Sequence, residues 1–137
     1  MKYLKLLFAV LLFSITTVAT AGDKISPTSV KGATTVDTAK AKVLFDKGVL
    51  FLDVRKDKDW DAGRVPDAIH IELKKKLSDE SMSKEIKKDE EVVIYCNGEK
   101  CMRSSVASAK AVGWGFSKVY YYRDGFPAWK AAGHPSE

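Results

Sequence analysis

Two cysteines, Cys96 and Cys101, lie in a short polar segment between an apolar run and a stretch of small residues. Gly98 permits a tight turn there, and Lys100 and Arg103 add positive charge. If the run is a strand and the stretch a helix, Cys96 faces successive backbone N–H groups and a helix N-terminus, which favour a bound anion. Such a field also stabilises a nucleophilic thiolate. The segment therefore predicts nucleophilic attack by Cys96 on an anionic substrate.

The elements that would position this segment alternate between strand-like and helix-like patterns. Near-continuous apolar runs at 49–54 and Glu91–Tyr95 are typical of strands buried on both faces. Shorter strands are predicted at 33–36, 68–73 and 119–122, and helices at 38–47, 104–113 and 127–132. A charged stretch at 74–90 has the spacing of a solvated helix. This alternation indicates an α/β fold with a parallel sheet covered by helices on both faces.

The helix predicted over 38–47 has a recognisable start and an apolar side. Asp37 precedes it and can accept hydrogen bonds from the N–H groups of the first turn as its N-cap. We expect its apolar residues Ala39, Val43 and Leu44 to face the sheet.

Composition restricts the class of protein. The chain has 137 residues, of which 45% are hydrophobic and 30% charged, which suits one globular domain and argues against a disordered chain. Two cysteines are too few for a disulfide framework, and no Cys/His cluster has zinc-site spacing. The net charge of +5 is mildly basic and does not indicate a nucleic-acid-binding surface.

The first residues predict export. Lys2 and Lys5 precede an apolar run at 6–15, and residues 19–21 (ATA) form a small-x-small cleavage site, the layout of a secretory signal peptide. An uncleaved membrane anchor is the alternative, although the run is shorter than the ~20 residues that a spanning helix needs.

The predicted organisation follows from this cleavage. Residues 1–21 are a signal peptide, 22–32 a flexible N-terminal arm and 33–137 a single domain. The mature protein is expected in a bacterial periplasm or outside the cell, with no membrane attachment once the signal is removed.

Three segments resemble signatures of the rhodanese (sulfurtransferase) family. Residues 52–71 (LDVRKDKDWDAGRVPDAIHI) resemble its N-terminal signature, and residues 93–104 (VIYCNGEKCMRS) resemble its active-site strand and loop. Residues 122–135 (YRDGFPAWKAAGHP) resemble its closing signature. The three segments follow one another in the family's order and are spread between residues 52 and 135.

The resemblance implies a three-layer α/β fold with a central, mostly parallel five-stranded sheet flanked by helices. It also implies that Cys96 takes sulfane sulfur from thiosulfate or polysulfide as a persulfide and passes it to cyanide or a thiol. The partners would thus be a small anionic donor and a thiol acceptor, with no nucleic acid, metal or organic cofactor. The substrate-binding residues implied are Asn97, Gly98, Glu99, Lys100, Cys101, Met102 and Arg103. Asp53 and Arg55 are expected to fix the loop through an internal salt bridge.

The chain departs from the family pattern in its loop. Arg103 and Ser104 follow Cys96 by seven and eight positions, where the commonest pattern has five and six, so the loop is expected to be two residues longer. Arg64 replaces the signature histidine, and Asp124 replaces one glycine of the closing signature. Loop length sets pocket size, which leaves the donor open between thiosulfate and related compounds.

Two loop residues have open roles at this point. Cys101 could resolve a Cys96 persulfide and leave a disulfide, could form a permanent disulfide, or could be an inert small residue. Arg103 could bind substrate or hold the start of its own helix.

Two other functions compete with sulfur transfer. A cysteine phosphatase or arsenate reductase would use the same fold, but those enzymes need Cys-x5-Arg, and this chain has Cys-x6-Arg. A non-catalytic sulfur-binding or partner-binding module is the third class, against which the intact Cys96 counts.

Overall fold

The computed structural model describes residues 24–137. The predicted signal peptide at 1–21 lies outside these residues, as do the first two positions of the predicted arm. Among the helices of residues 24–137, none is long and apolar enough to cross a membrane.

Strands and helices alternate along the described chain. The strands are β1 (Thr34–Val36), β2 (Leu50–Asp53), β3 (Ile69–His70), β4 (Glu91–Tyr95) and β5 (Lys118–Tyr122). The helices are α1 (Thr38–Asp46), α2 (Asp57–Ala62), α3 (Asp79–Glu85), α4 (Arg103–Gly113) and α5 (Gly125–Ala131). The strands form one sheet in the order β1-β5-β4-β2-β3, and every neighbouring pair is parallel. The predicted α/β fold is confirmed.

The sheet separates two apolar clusters, which makes the three layers. Alternate residues of β4 serve opposite faces: Val92 and Ile94 pack with α3 and α4, whereas Val93 and Tyr95 pack with α1 and α5. Because β4 is the middle strand and is covered on both faces, its sequence is continuously apolar. Cys96, which follows the carboxyl end of β4, is therefore held at the middle of the row formed by the carboxyl ends of the strands.

Helix α1 confirms the predicted cap and corrects the predicted apolar face. The Asp37 side chain accepts a backbone hydrogen bond of the first turn at 2.8 Å. Leu44 is buried as expected, but Ala39 and Val43 are exposed, and Ala41 is the second buried residue. Positions 41 and 44 are three apart and share one side of a helix, whereas position 43 is turned by about 100° from its neighbour 44.

The strand predicted at 68–73 is shorter than expected. Regular pairing is confined to Ile69–His70, because β3 is an edge strand that pairs only with β2. Beyond it, the Ile71 N–H still donates to the Asp53 carbonyl at 3.0 Å. The Leu73 N–H also donates to the Val54 carbonyl at 3.3 Å, so the alternation seen in the sequence reflects a chain that continues beside β2 past the regular pairing.

Candidate active site

Cys96 follows the last residue of β4 and is fully buried at the carboxyl end of the central strand. In open parallel sheets this edge is where ligands bind. The backbone N–H of Ser104, in the first turn of α4, donates to the Cys96 Sγ at 3.2 Å. The Ser104 Oγ lies 3.2 Å from the same sulfur. Both groups of Ser104 are placed to stabilise negative charge on Cys96.

The loop from Cys96 to α4 folds back on itself and rests on the corner between β5 and α5. Gly98 has a positive φ of 107°, and its carbonyl accepts the Cys101 N–H at 3.0 Å. The Phe126 N–H donates to the Cys96 carbonyl at 2.9 Å. A Cβ on Gly125 would overlap that carbonyl oxygen, so the close approach requires glycine. The corner thus fixes the backbone from the Cys96 carbonyl to Gly98.

The Cys96 Sγ donates to the Cys101 carbonyl oxygen at 3.5 Å, which brings the two cysteines together. Interaction with the Cys96 thiol, helped by the backbone N–H groups of Asn97 and Arg103, lowers the pKa of Cys101 to about 6. Interaction with Cys101 and burial raise the pKa of Cys96, against the opposing effect of Ser104. Cys101 is therefore the thiol of the pair that ionises first.

The predicted salt bridge between Asp53 and Arg55 is present and buried. The Arg55 guanidinium donates to both Asp53 carboxylate oxygens, at 2.7 to 3.0 Å, and lies 4.6 Å from the centroid of the Phe126 ring. Burial opposes the charged guanidinium, but the Asp53 carboxylate outweighs this effect and raises the pKa of Arg55. The Arg55 Nη1 donates to the Asn97 Oδ1 at 3.3 Å, which connects the ion pair to the loop.

Arg103 is engaged by a second buried carboxylate. Its Nη1 donates to the Glu72 Oε1 at 2.7 Å and to the Val54 carbonyl at 3.2 Å. Burial acts to raise the pKa of Glu72, but the Arg103 hydrogen bond and a backbone N–H lower it overall. These contacts tie the start of α4 to the β2–β3 side of the sheet. They favour the interpretation in which Arg103 holds its own helix.

The other predicted substrate-binding residues differ in their surroundings. Gly98 is buried, whereas Asn97, Glu99, Lys100 and Met102 are exposed. The Asn97 Nδ2 donates to the Asp59 Oδ2 at 3.1 Å. The backbone of this loop, more than its side chains, surrounds the two sulfurs.

The N-terminal arm contributes residues that the sequence analysis missed. The backbone N–H and Oγ of Ser26 both donate to the Glu99 carbonyl, at 2.7 and 2.8 Å, and Ser26 is buried. Arg123 donates to the Ser26 carbonyl at 3.0 Å and lies 3.7 Å from the Glu99 carboxylate. Ser104 was also missed, although its position beside Arg103 at the helix start was a usable signal. The Ser26 contact joins residues 73 positions apart and has no local signal.

Two of the cavities lie at opposite ends of the strands. One of about 480 Å³ is beside the start of β2, between Gly48 and Pro66. Another, of about 390 Å³, is lined by Arg55, Asp59, Ala62, Phe126, Pro127 and Lys130. The second is beside the loop, because Arg55 and Asp59 both bond Asn97. It is at the edge where parallel sheets bind ligands, and we therefore assign it to the site.

A protein-family model for the rhodanese-like domain matches residues 35–132, so the chain belongs to the rhodanese family. It is 31% identical over 98 residues to "Thiosulfate sulfurtransferase GlpE" of Pseudomonas savastanoi pv. phaseolicola, covering 72% of this chain and 87% of that protein. A protein named "Sulfurtransferase" from Allochromatium vinosum is 38% identical over 87 residues, covering 64% and 77%.

Solved structures agree with this fold. The crystal structure of the BH2092 protein from Bacillus halodurans superposes with a TM-score of 0.68 at 25% identity, covering 77% of each chain. The rhodanese-like domain of the Alr3790 protein from Anabaena gives a TM-score of 0.65 at 24% identity, covering 75% of this chain and 77% of that one. The family and fold predicted from the three signatures are confirmed.

Proposed function

We propose that the protein is an exported sulfurtransferase that carries sulfane sulfur as a persulfide on Cys96. The observation that carries this proposal is the placement of the Cys96 Sγ, which is buried beyond the central strand and lies 3.2 Å from both the backbone nitrogen and the Oγ of Ser104. The names of the relatives support the reaction class. Export rests on the pattern of residues 1–21 alone.

Loading is a displacement at sulfur. The Cys96 thiolate attacks the sulfane sulfur of thiosulfate, a new S–S bond forms, and the bond to the sulfonate sulfur breaks. Sulfite leaves with the electron pair of the broken bond, and Cys96 keeps a persulfide. Polysulfide loads it in the same way and leaves as a chain shortened by one sulfur.

The attacking group is the Cys96 thiolate, which Ser104 is placed to stabilise. The backbone N–H of Ser104 donates to the Cys96 Sγ, and the Ser104 hydroxyl lies 3.2 Å from the same sulfur.

Unloading completes the double displacement. A thiophilic acceptor such as cyanide or a small thiolate attacks the outer sulfur, and the Cys96 thiolate leaves. Splitting the transfer into two displacements avoids a ternary complex of donor and acceptor. The cavity beside Arg55 and Lys130 offers positive charge for anionic reactants.

The position of Arg103 favours sulfur transfer over an oxyanion enzyme. A phosphatase of this fold needs a guanidinium that brackets a tetrahedral oxyanion above the cysteine. The Arg103 guanidinium is instead bonded to Glu72 and to the Val54 carbonyl. We therefore do not propose phosphate esters or arsenate as substrates.

The test uses the Cys101→Ser variant, so that no second thiol lies beside the persulfide. The reduced variant is incubated anaerobically with thiosulfate, and in parallel with inorganic polysulfide, and its intact mass is recorded. We expect a gain of one sulfur atom, with one sulfite released per chain from thiosulfate. Subsequent addition of cyanide should remove that sulfur as thiocyanate.

The matched control is the double variant Cys96→Ser/Cys101→Ser, which should gain no sulfur and release no sulfite. If the Cys101→Ser variant itself gains nothing from either donor, while its circular dichroism shows a folded protein, the proposed function is wrong.

A further inference from the structure

The sulfur of Cys101 lies among the groups that would hold a transferred sulfur. Cys101 shares the loop between β4 and α4 with Cys96, whose Sγ donates to the Cys101 carbonyl oxygen at 3.5 Å. The Cys96 thiol and the backbone N–H groups of Asn97 and Arg103 act on the Cys101 sulfur and lower its pKa. In the proposed function, the backbone N–H groups of this loop stabilise the outer sulfur of the persulfide and the negative charge of the sulfur-donating anion. A side chain of this chain therefore reaches the place where the reaction occurs.

The two sulfurs differ in their access to solvent. Cys96 is fully buried, whereas Cys101 is half-buried at the surface of the loop. Both are free thiols. A bulky acceptor thus reaches Cys101 more readily than Cys96.

We propose that Cys101 is a second catalytic cysteine, which attacks the loaded Cys96 and releases the transferred sulfur as hydrosulfide. This inference rests on the proposed function, because it needs the Cys96 persulfide as its substrate. It adds a reductive activity to sulfur transfer, namely the conversion of sulfane sulfur to hydrosulfide.

The step balances without a further oxidant. The Cys101 thiolate attacks the Cys96 Sγ, which in the unloaded loop already lies 3.5 Å from the Cys101 carbonyl oxygen. An S–S bond forms between the two cysteines, and the bond from Cys96 to the outer sulfur breaks. The outer sulfur leaves with the bonding electrons and a proton as hydrosulfide. It is reduced, and the two cysteine sulfurs are oxidised to a disulfide.

Turnover then requires a dithiol reductant. A thiolate of the dithiol attacks the half-buried Cys101 sulfur, and Cys96 leaves as a thiolate. The second thiol of the reductant resolves the mixed disulfide and frees Cys101. The net reaction converts thiosulfate and a dithiol into sulfite, hydrosulfide and the oxidised dithiol.

The experiment is a single turnover without reductant. Anaerobic reduced wild-type protein and the Cys101→Ser variant are each mixed with thiosulfate, and in parallel with inorganic polysulfide. Intact mass is recorded after blocking free thiols, and hydrosulfide and sulfite are measured from the thiosulfate arm. A wild-type sample without donor controls for adventitious oxidation.

The expected results differ between the two proteins. Wild type should lose two hydrogens, leave no thiol to block and release one hydrosulfide and one sulfite per chain. The Cys101→Ser variant should retain one added sulfur and release sulfite without hydrosulfide. Peptide mapping should place the wild-type disulfide between Cys96 and Cys101.

Two outcomes would overturn the inference and leave the proposed function standing. In one, wild type keeps the added sulfur on Cys96 and releases no hydrosulfide. In the other, the added sulfur is found on Cys101 as a persulfide. Failure of the Cys101→Ser variant to load from either donor is a different result, because it overturns the proposed function itself.

Discussion

At the scale of single residues, two charged side chains of the loop are held by partners outside it. The Arg103 guanidinium bonds Glu72, and the Glu99 carboxylate lies 3.7 Å from Arg123. The Cys96 sulfur is instead surrounded by the backbone N–H and hydroxyl of Ser104 and by the Cys101 carbonyl. Such fixed dipoles stabilise a charge that appears on sulfur without needing to reorient.

The first prediction concerns the ionisation of Cys101. Because its pKa is lowered to about 6, its thiolate fraction rises as the pH increases through that value and is nearly complete at neutral pH. The rate of Cys101 alkylation by iodoacetamide should rise about tenfold per pH unit below the pKa and then level off. Peptide mapping by mass spectrometry separates this rate from that of Cys96.

The Cys96→Ala variant is the matched control, since interaction with the Cys96 thiol is the largest cause of the lowered pKa of Cys101. We expect the Cys101 profile to move to higher pH in this variant, and alkylation at neutral pH to slow. A wild-type profile centred near the ordinary thiol pKa of about 8.5 would contradict the assignment of the first thiolate to Cys101.

At the scale of elements, the corner between β5 and α5 packs against the backbone of the loop that follows β4. Gly125 begins α5 with a φ of 67°. The position that a Cβ would occupy on Gly125 is taken up by the Cys96 carbonyl and the Gly98 nitrogen. The Phe126 N–H completes the contact at 2.9 Å. Helix α5 thus positions the backbone of the nucleophile although none of its side chains reacts.

The second prediction compares two glycine substitutions. Gly125→Ala places a Cβ 2.7 Å from the Gly98 nitrogen and against the Cys96 carbonyl, in addition to a strained φ. Gly133→Ala has similar strain at a φ of 77° but meets nothing within 4 Å. Urea unfolding should show a loss of about 1 kcal/mol for Gly133→Ala. Gly125→Ala should lose a further ~1–3 kcal/mol from overpacking.

Sulfur loading separates the two variants more sharply. Gly125→Ala should load Cys96 at least about tenfold more slowly than wild type, because displacement of the loop misplaces its N–H donors. Gly133→Ala should load at the wild-type rate. Equal losses of stability and loading in both variants would show that the close approach does not position the loop.

The elements themselves could be predicted because their signals are local. The continuous apolar run of Glu91–Tyr95 identified β4 to the residue, and Asp37 marked the start of α1. The inward face of α1 was predicted wrongly, since Val43 and Leu44 look alike in sequence and only the sheet decides which is covered. The direction of Arg103 likewise depends on Glu72, a partner 31 positions away that no local pattern identifies.

At the scale of the whole molecule, the described part of the N-terminal arm packs against the active-site loop. Ser26 donates twice to the Glu99 carbonyl, and the Tyr121 hydroxyl donates to the Pro27 carbonyl at 2.8 Å. The arm therefore connects β5 to the loop at Glu99. In the predicted mature chain, residues next to the new N-terminus would help to position the catalytic segment.

The third prediction tests this coupling with a chain that begins at Ser29 in place of Gly22. Removal of residues 22–28 breaks the hydrogen bonds of Ser26 and Pro27. Each lost hydrogen bond should lower the free energy of unfolding by about 1 kcal/mol. Part of this loss is offset, because the removed residues no longer have to be ordered on folding. Amide hydrogen exchange should accelerate at Lys100 and Cys101, while the amides of β4 stay protected, because only the loop loses support. Sulfur loading should slow in the same variant.

The Ser26→Ala variant keeps the backbone donor to the Glu99 carbonyl and should show only a small part of each effect. If the shortened chain exchanges its loop amides and loads sulfur at wild-type rates, the arm does not position the loop, and Gly125 and the Asp53–Arg55 pair fix it without help.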